Sequence, residues 1–248
     1  MCHVEIRRLS KRTTLCTFTE LEGYPTNVLL LEGNARIYTC DTFLGPRAMQ
    51  EIEQEASLGF HGTKENIVFN SHGDWDHHWG NCFFHDTSII AHRKTRNCII
   101  KAGDHDLSMH GHHAMGRVII TPPSTTFTRE LTFHDDGISF FHAPGHTPDS
   151  SACMDLIDGV LFAGDDVEYP LPCISSPDVS TFINTLTSFL EMKVALVIPG
   201  HGIPVAGLDL VRDNLRYLES LEAGNPAVPS LPRAREIHGD NEKVLHDE

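Results

Sequence analysis

Short apolar runs alternate with amphipathic stretches along most of the chain. In "TNVLLLEGNARIYTCDT" (26–42), two apolar runs flank the turn signal Gly33-Asn34, which predicts two strands joined at a turn. The following "LGPRAMQEIEQEASLG" predicts a helix, with Pro46 in its first turn and Met49, Ile52 and Ala56 on one face. "NIVF" and "SIIAH" are compact enough to be buried strands. "GISFFHAP", "GVLFAGD" and "VALVIPGHG" each read as a strand running into a loop of Gly, His or Asp. Asp178, after Pro177, is a good N-cap for a helix that puts Val179, Phe182, Ile183, Leu186, Phe189 and Leu190 on one stripe. A last helix in "DLVRDNLRYLESLEAG" buries Val211, Leu215 and Leu218, and Gly224 and Pro226 stop it.

Strands alternating with helices predict layers, with sheet inside and helices outside. Residues 1–224 read as a single domain, and the proline-bearing, charged stretch 225–248 as a loosely held polar tail. The stretch "GDHDLSMHGHHAMGR" (103–117) has no clean period and reads as a long loop, its histidines facing solvent.

Composition narrows the function. A chain of 248 residues can bury a core without staples. Its net charge of −15 repels phosphate backbones, so nucleic acid is not an expected partner. No run approaches the roughly 18 apolar residues of a membrane span, and "MCHVEIRRLSKRTTLC" holds no apolar signal-peptide core; a cytoplasmic location without membrane attachment is expected. The seven cysteines form no CxxC pair and are expected to be reduced. Seventeen histidines are many for this length, which points to metal chemistry.

Four strand-to-loop junctions gather the unusual residues: "SHGDWDHHWGN" (71–81), "HAPGHTPDSS" (142–151), "FAGDD" (162–166) and "PGHG" (199–202). Such junctions are where α/β sheets place ligands. Imidazoles and carboxylates gathered there suit zinc, iron or manganese. His72 and Asp74 sit two apart and point the same way in an extended segment, while Asp76 and His77 can serve a second ion as the chain turns.

In this order and at these separations, the four segments resemble the metallo-β-lactamase fold superfamily, nearest its stand-alone, glyoxalase-II-like or lactonase-like hydrolases. The resemblance runs from Thr26 to Leu221, and "DTFLGP" at Asp41 matches the family's second strand and the turn leaving it. It implies an α/β fold, a four-layer αββα sandwich of two mixed β-sheets flanked by helices, with the site along one edge. It also implies two divalent metal ions. His72, Asp74 and His146 would hold one, Asp76, His77 and His201 the other, and Asp165 would bridge both. Ions about 3.5–4 Å apart can share a water and turn it into a hydroxide nucleophile. Asp76 would also be catalytic, orienting that hydroxide or passing a proton to the leaving group.

Asp74 departs from the family, which usually carries histidine there. A carboxylate still ligates, but the added negative charge lowers Lewis acidity and favours harder ions such as iron or manganese over zinc. Relatives with a carboxylate at this position hold a di-iron pair that reduces oxygen or nitric oxide, but they carry a flavin domain, for which this chain has no room. The expected activity is therefore a binuclear metal-dependent hydrolase of a small ester, thioester, lactone or amide. A di-iron redox protein working with a separate electron donor is the alternative, and a metal-binding sensor without catalysis a third. Asp165 stands where zinc β-lactamases typically carry cysteine, which argues against β-lactam cleavage. The expected partners are a small-molecule substrate and a second copy of the chain in a homodimer.

Around the ligand set, His142 and Asp166 are expected as outer supports, and Tyr169 as a hydrogen-bond donor to a substrate carbonyl. His78 is expected in an outer shell or at the surface, and Trp75 and Trp79 to pack the loop against the helix that follows.

Overall fold

The computed structural model describes residues 4–56 and 64–246. Two mixed sheets are stacked face to face. The first has seven strands in chain order: β1 (Glu5–Arg8), β2 (Thr13–Phe18), β3 (Thr26–Glu32), β4 (Arg36–Cys40), β5 (Glu65–Asn70), β6 (Ser88–His92) and β7 (Thr125–Phe127). β1 to β4 pair antiparallel, and β4 to β7 pair parallel. The second has six, again in chain order: β8 (Glu130–Phe133), β9 (Ile138–His142), β10 (Ser151–Asp155), β11 (Val160–Gly164), β12 (Leu196–Pro199) and β13 (Val205–Ala206). Only β11 and β12 pair parallel there.

Why the apolar runs are continuous follows from the layers. Along β3, Leu29 and Leu31 face the second sheet, while Val28 and Leu30 face the helices, so both sides of the strand are buried. β11 repeats the pattern, with Val160 and Phe162 inward and Leu161 and Ala163 outward. Between the sheets, Phe69 of β5 stacks on Phe140 of β9 at 4.4 Å, nearly parallel. Each such side chain taken out of water stabilises the fold by about 1.5–3 kcal/mol.

Helices cover both outer faces. α1 (Pro46–Glu55) buries Ala48, Met49 and Ile52 against the first sheet. A single turn, α2 (Trp75–His78), follows β5, and α3 (Arg93–His110) follows β6. α4 (Val179–Leu190) and α5 (Asp209–Glu222) cover the second sheet, joined by α6 (Pro232–His246). Asp178 caps α4 as expected, its side chain accepting from the Thr181 N–H.

Two expectations are corrected. The stretch 103–117 is not a long loop, because α3 runs through residue 110 and a tight turn covers Gly111–His113. Its buried face is Thr95, Ile99 and Gly103, four apart; a Cβ at Gly103 would press on Ile120, so the helix packs closely there. The tail is not loose either. α6 buries Ala234, Ile237 and Asn241. Asn241 donates to the Pro172 carbonyl and to the Tyr217 hydroxyl, and accepts from the Ile174 N–H. An amide with three buried partners holds a helix as firmly as an apolar stripe does. The six described cysteines are all free. Among the described residues, no helix is long and apolar enough to cross a membrane.

Candidate metal centre

The seven residues named as ligands come together at one edge of the two sheets. Three groups have ligand atoms within 4.8 Å of one another: His72, Asp74 and His146; His72, His77 and Asp165; and Asp76, His77 and His201. His72 and Asp74 follow the end of β5, Asp76 and His77 lie on α2, His146 follows β9, Asp165 follows β11 and His201 follows β12. Asp165 sits at the centre, its Oδ2 3.8 Å from His72 Nε2, 3.4 Å from His77 Nε2 and 3.3 Å from His201 Nε2.

Each imidazole is fixed from behind, through Nδ1. His77 Nδ1 lies 2.8 Å from an Asp41 carboxylate oxygen, and His146 Nδ1 3.0 Å from the Cys173 carbonyl; both partners can only accept. His72 Nδ1 meets the Ser71 hydroxyl, whose own proton goes to Asp41. His201 Nδ1 meets the Thr26 hydroxyl, whose proton goes to the Tyr24 carbonyl. All four Nδ1 atoms are therefore donors, and in the neutral rings all four Nε2 atoms carry lone pairs. Those lone pairs converge. His77 and His201 face each other at 3.3 Å, Nε2 to Nε2, which is repulsive unless a cation or a proton lies between them.

Buried atoms without partners give the same message. His72 Nε2 and Asp165 Oδ1 are buried and make no hydrogen bond among the described residues. Electrostatics adds to it. Burial alone would lower the pKa of His77, His146 and His201, but neighbouring carboxylates outweigh it, Asp165 foremost at His77 and His201 and Asp74 at His146. His201 is raised to about 10, and His77 and His146 stand well above the ordinary imidazole range. Burial would likewise raise Asp165, yet the imidazoles hold it, and the more open Asp74, well below the ordinary carboxylate range. The cluster keeps its carboxylates ionised and calls for positive charge. Histidine nitrogens and carboxylate oxygens are the donor set of zinc, iron and manganese.

Backbone packing makes this closeness feasible. A Cβ at Gly200 would overlap Asp165 Oδ1 and touch the His77 ring, so the turn between β12 and His201 passes the cluster only as glycine. The same turn is stitched to β3, where Asn27 donates to the Pro199 and Gly202 carbonyls.

The outer residues divide. Asp166 accepts from the His146 N–H at 2.8 Å, and burial pushes its carboxyl up to about 7. Tyr169 is 69% exposed and shares a cavity wall with His201. His142 braces the loop rather than a ligand, stacking on His92 at 3.9 Å and meeting the Pro148 carbonyl. His78 is buried, not on the surface, and neither ring nitrogen has a hydrogen-bond partner among the described residues; burial and the neighbouring His77 push it down to about 4. Trp75 packs on the helix that follows, as expected, stacking on His110 at 4.8 Å and on His113 beyond it at 5.5 Å, while Trp79 is buried in the core; part of the His-rich stretch thus packs beside the cluster.

Sequence reading missed Asp41, Ser71, Thr26 and Cys173 as supports. Asp41 follows the apolar strand "IYTC", the same strand-to-loop signal that marked the ligands. Its φ of 59° places it in the left-handed region, which aspartate tolerates better than most residues and which strand patterning does not reveal.

The family profile of the metallo-beta-lactamase superfamily matches residues 21–201. The chain belongs to that superfamily. Solved structures of the superfamily's fold agree. A metallo-beta-lactamase from Pontibacter korlensis superposes with a TM-score of 0.67 at 17% identity, covering 88% of this chain and 99% of its own. One from Hirschia baltica gives 0.63 at 18% identity, covering 87% and 97%. The metallo-beta-lactamase FIM-1 from Pseudomonas aeruginosa, in its mono-zinc form, gives 0.68 at 16% identity, covering 88% and 96%. Curated proteins yield no significant match. Within this superfamily member the profile ends at His201, so α5 and α6 lie outside the matched region.

Proposed function

We propose that the protein is a metal-dependent hydrolase of a small ester, thioester, lactone or amide. His72, Asp74 and His146 hold one divalent ion, Asp76, His77 and His201 hold a second, and Asp165 lies between them. The observation that carries this reading is the set of four imidazoles whose Nδ1 atoms are all committed as donors while their Nε2 atoms converge on three carboxylates. Bound there, such ions supply Lewis acidity and a water activated near neutral pH.

The chain's own residues do the rest. Asp41, Ser71, Thr26 and the Cys173 carbonyl keep the rings from turning, and Asp166 fixes the loop that carries His146. Asp76 keeps part of its side chain open to solvent beside His201, where its ionised carboxylate orients the attacking water or takes that water's proton and passes it to the leaving group. The carboxylate at Asp165, in place of cysteine, supports an ester-type substrate over a β-lactam.

Elemental mass spectrometry on protein grown with zinc, iron and manganese together tests the reading. About two zinc or manganese ions per chain are expected, followed by turnover in a screen of lactones, thioesters and esters. Less than about half an ion in total would remove the site from consideration. One feature, the third carboxylate at Asp74, favours a second reading, a di-iron redox protein with a separate donor; two irons and reductant-dependent oxygen consumption would put it first.

A further inference from the structure

Beside the cluster lies a cavity of about 340 Å³ whose wall includes His201 itself. Its other walls are mostly apolar and aromatic, Tyr24, Pro25, Tyr169, Ile203 and Ile237, with one carboxylate, the buried Glu168, which accepts from the Cys173 N–H. Three of these are among the large hydrophobic side chains the protein leaves exposed, Tyr24 at 38%, Tyr169 at 69% and Ile203 at 72%. Water-facing apolar groups around a concave surface that opens on a reactive centre mark a ligand-binding wall. The cavity also has a cation, Arg233 of α6. Its guanidinium carbon lies 4.3 Å from the centre of the Tyr24 ring, and that ring meets His201 edge-on at 5.7 Å. One tyrosine thus separates the charge from the proposed metal ligand.

The geometry points to Arg233 as the specificity-determining residue, pairing with a carboxylate carried by the substrate at the end of a short apolar arm. This rests on the hydrolase reading above and adds the substrate's second recognition point. The bond to be cut sits at the cluster, the arm lies along Tyr24, Tyr169 and Ile203, and the terminal carboxylate meets the guanidinium. A guanidinium stacked on a ring keeps its planar edge free, and two N–H groups on that edge match a carboxylate in parallel. Glu236 takes one N–H of Arg233 at 2.7 Å, but that pair is exposed and worth little. Arg233 is already neutralised by Glu236, so the two together repel a singly charged carboxylate less than a dianionic phosphate. In a chain of net charge −15, a guanidinium in the cavity wall is the feature that admits an acidic substrate.

The test uses the metal-loaded full chain, with Arg233→Gln and Arg233→Lys. Binding of adipate, glutarate and succinate is measured by calorimetry against hexanoate, pentanoate and butyrate. One carboxylate can sit at the cluster in every case; only the diacids offer a second. At least one diacid is expected to bind more tightly than its monoacid. Arg233→Gln should erase about 10-fold or more of that advantage while leaving the monoacid unchanged, and Arg233→Lys should retain part of it. Mono-para-nitrophenyl adipate and para-nitrophenyl hexanoate then give the kinetic version, in which Arg233→Gln raises KM for the charged ester and leaves the neutral one alone. Equal binding of diacid and monoacid, or an advantage that survives in Arg233→Gln, overturns the inference. An Arg233-dependent advantage without hydrolysis of either ester keeps it and sinks the hydrolase reading instead, so the two failures are distinguishable.

Discussion

Each half of the cluster has a carboxylate facing two imidazoles, Asp76 with His77 and His201 at 3.7 and 3.3 Å and Asp74 with His72 and His146 at 3.5 and 3.4 Å, but the halves differ in burial and in what stands behind them. His77 is fully buried and held by Asp41, which also accepts from the Ser71 N–H and hydroxyl. Asp76 and His201 are 14% and 10% exposed, while 48% of the Asp74 side chain faces solvent. One half of the cluster is pre-organised by packing and the other is closed by a mobile-length carboxylate at the mouth. Outer partners raise affinity by fixing ligand orientation, so the His77 half should bind its ion first and release it last. The Asp74 half should load later and exchange faster.

Asp165 belongs to both halves, and its removal should abolish the difference between them. Asp165→Ala leaves three imidazoles without their shared counter-charge, and metal content should fall to near zero with activity lost together. Elemental analysis and turnover of the same preparation check this. Full metal with full activity would show that Asp165 does not bridge.

Gly200→Ala attacks the buried half through packing alone. The added methyl overlaps Asp165 and presses on His77, a cost of about 1–3 kcal/mol in folding plus a displaced ligand set. The expected result is a lower melting temperature and loss of the tighter ion. A fully loaded Gly200→Ala protein would mean that the turn relaxes and the close packing is incidental.

How much of this was legible beforehand depends on chemistry and distance along the chain. The ligands could be read because each follows an apolar strand of a buried sheet, and β5, β11 and β12 are continuous apolar runs. The supports could not, because Ser71, Thr26 and the Cys173 carbonyl are ordinary groups made important by partners 27 to 175 residues away. The C-terminal helix was missed for a different reason. Its anchor is Asn241, a polar residue doing the work of a core side chain, and its other buried residues, Ala234 and Ile237, are too few to show a period. The second half of α3 was missed for a third, since 103–110 shows no apolar period and its buried contact there is a glycine, Gly103, against Ile120.

Asp41→Asn sharpens the comparison without removing any ligand. The amide has nearly the shape of the carboxylate, but both carboxylate oxygens accept, so its NH2 group meets a donor either way, the Ser71 N–H or His77 Nδ1, and in the second orientation two donors stand head to head. The ring escapes by moving its proton to Nε2, the atom that faces the cluster, and so turns its lone pair away. Affinity at the buried half should fall about 10–100-fold while the Asp74 half changes little. Competition with a graded chelator, read as ions per chain, separates the two steps. Equal weakening of both ions would mean that the halves are not independent.

The smallest expected effect concerns Asp74 itself. Replacing it with histidine supplies the residue usual in the family and removes one of the three negative charges around the cluster. An imidazole reaches farther from the backbone than a carboxylate, and the side chain has room to extend because nearly half of it already faces solvent. The ion on that side would then meet three imidazoles and the shared Asp165, a set that suits zinc better than manganese. Asp74→His protein grown with zinc, iron and manganese together should shift its metal content toward zinc and hold the exchangeable ion longer, with the buried half unchanged. If the metal ratio and exchange rate stay as in the parent, Asp74 does not touch the ion, and the openness of that half has another cause than its carboxylate.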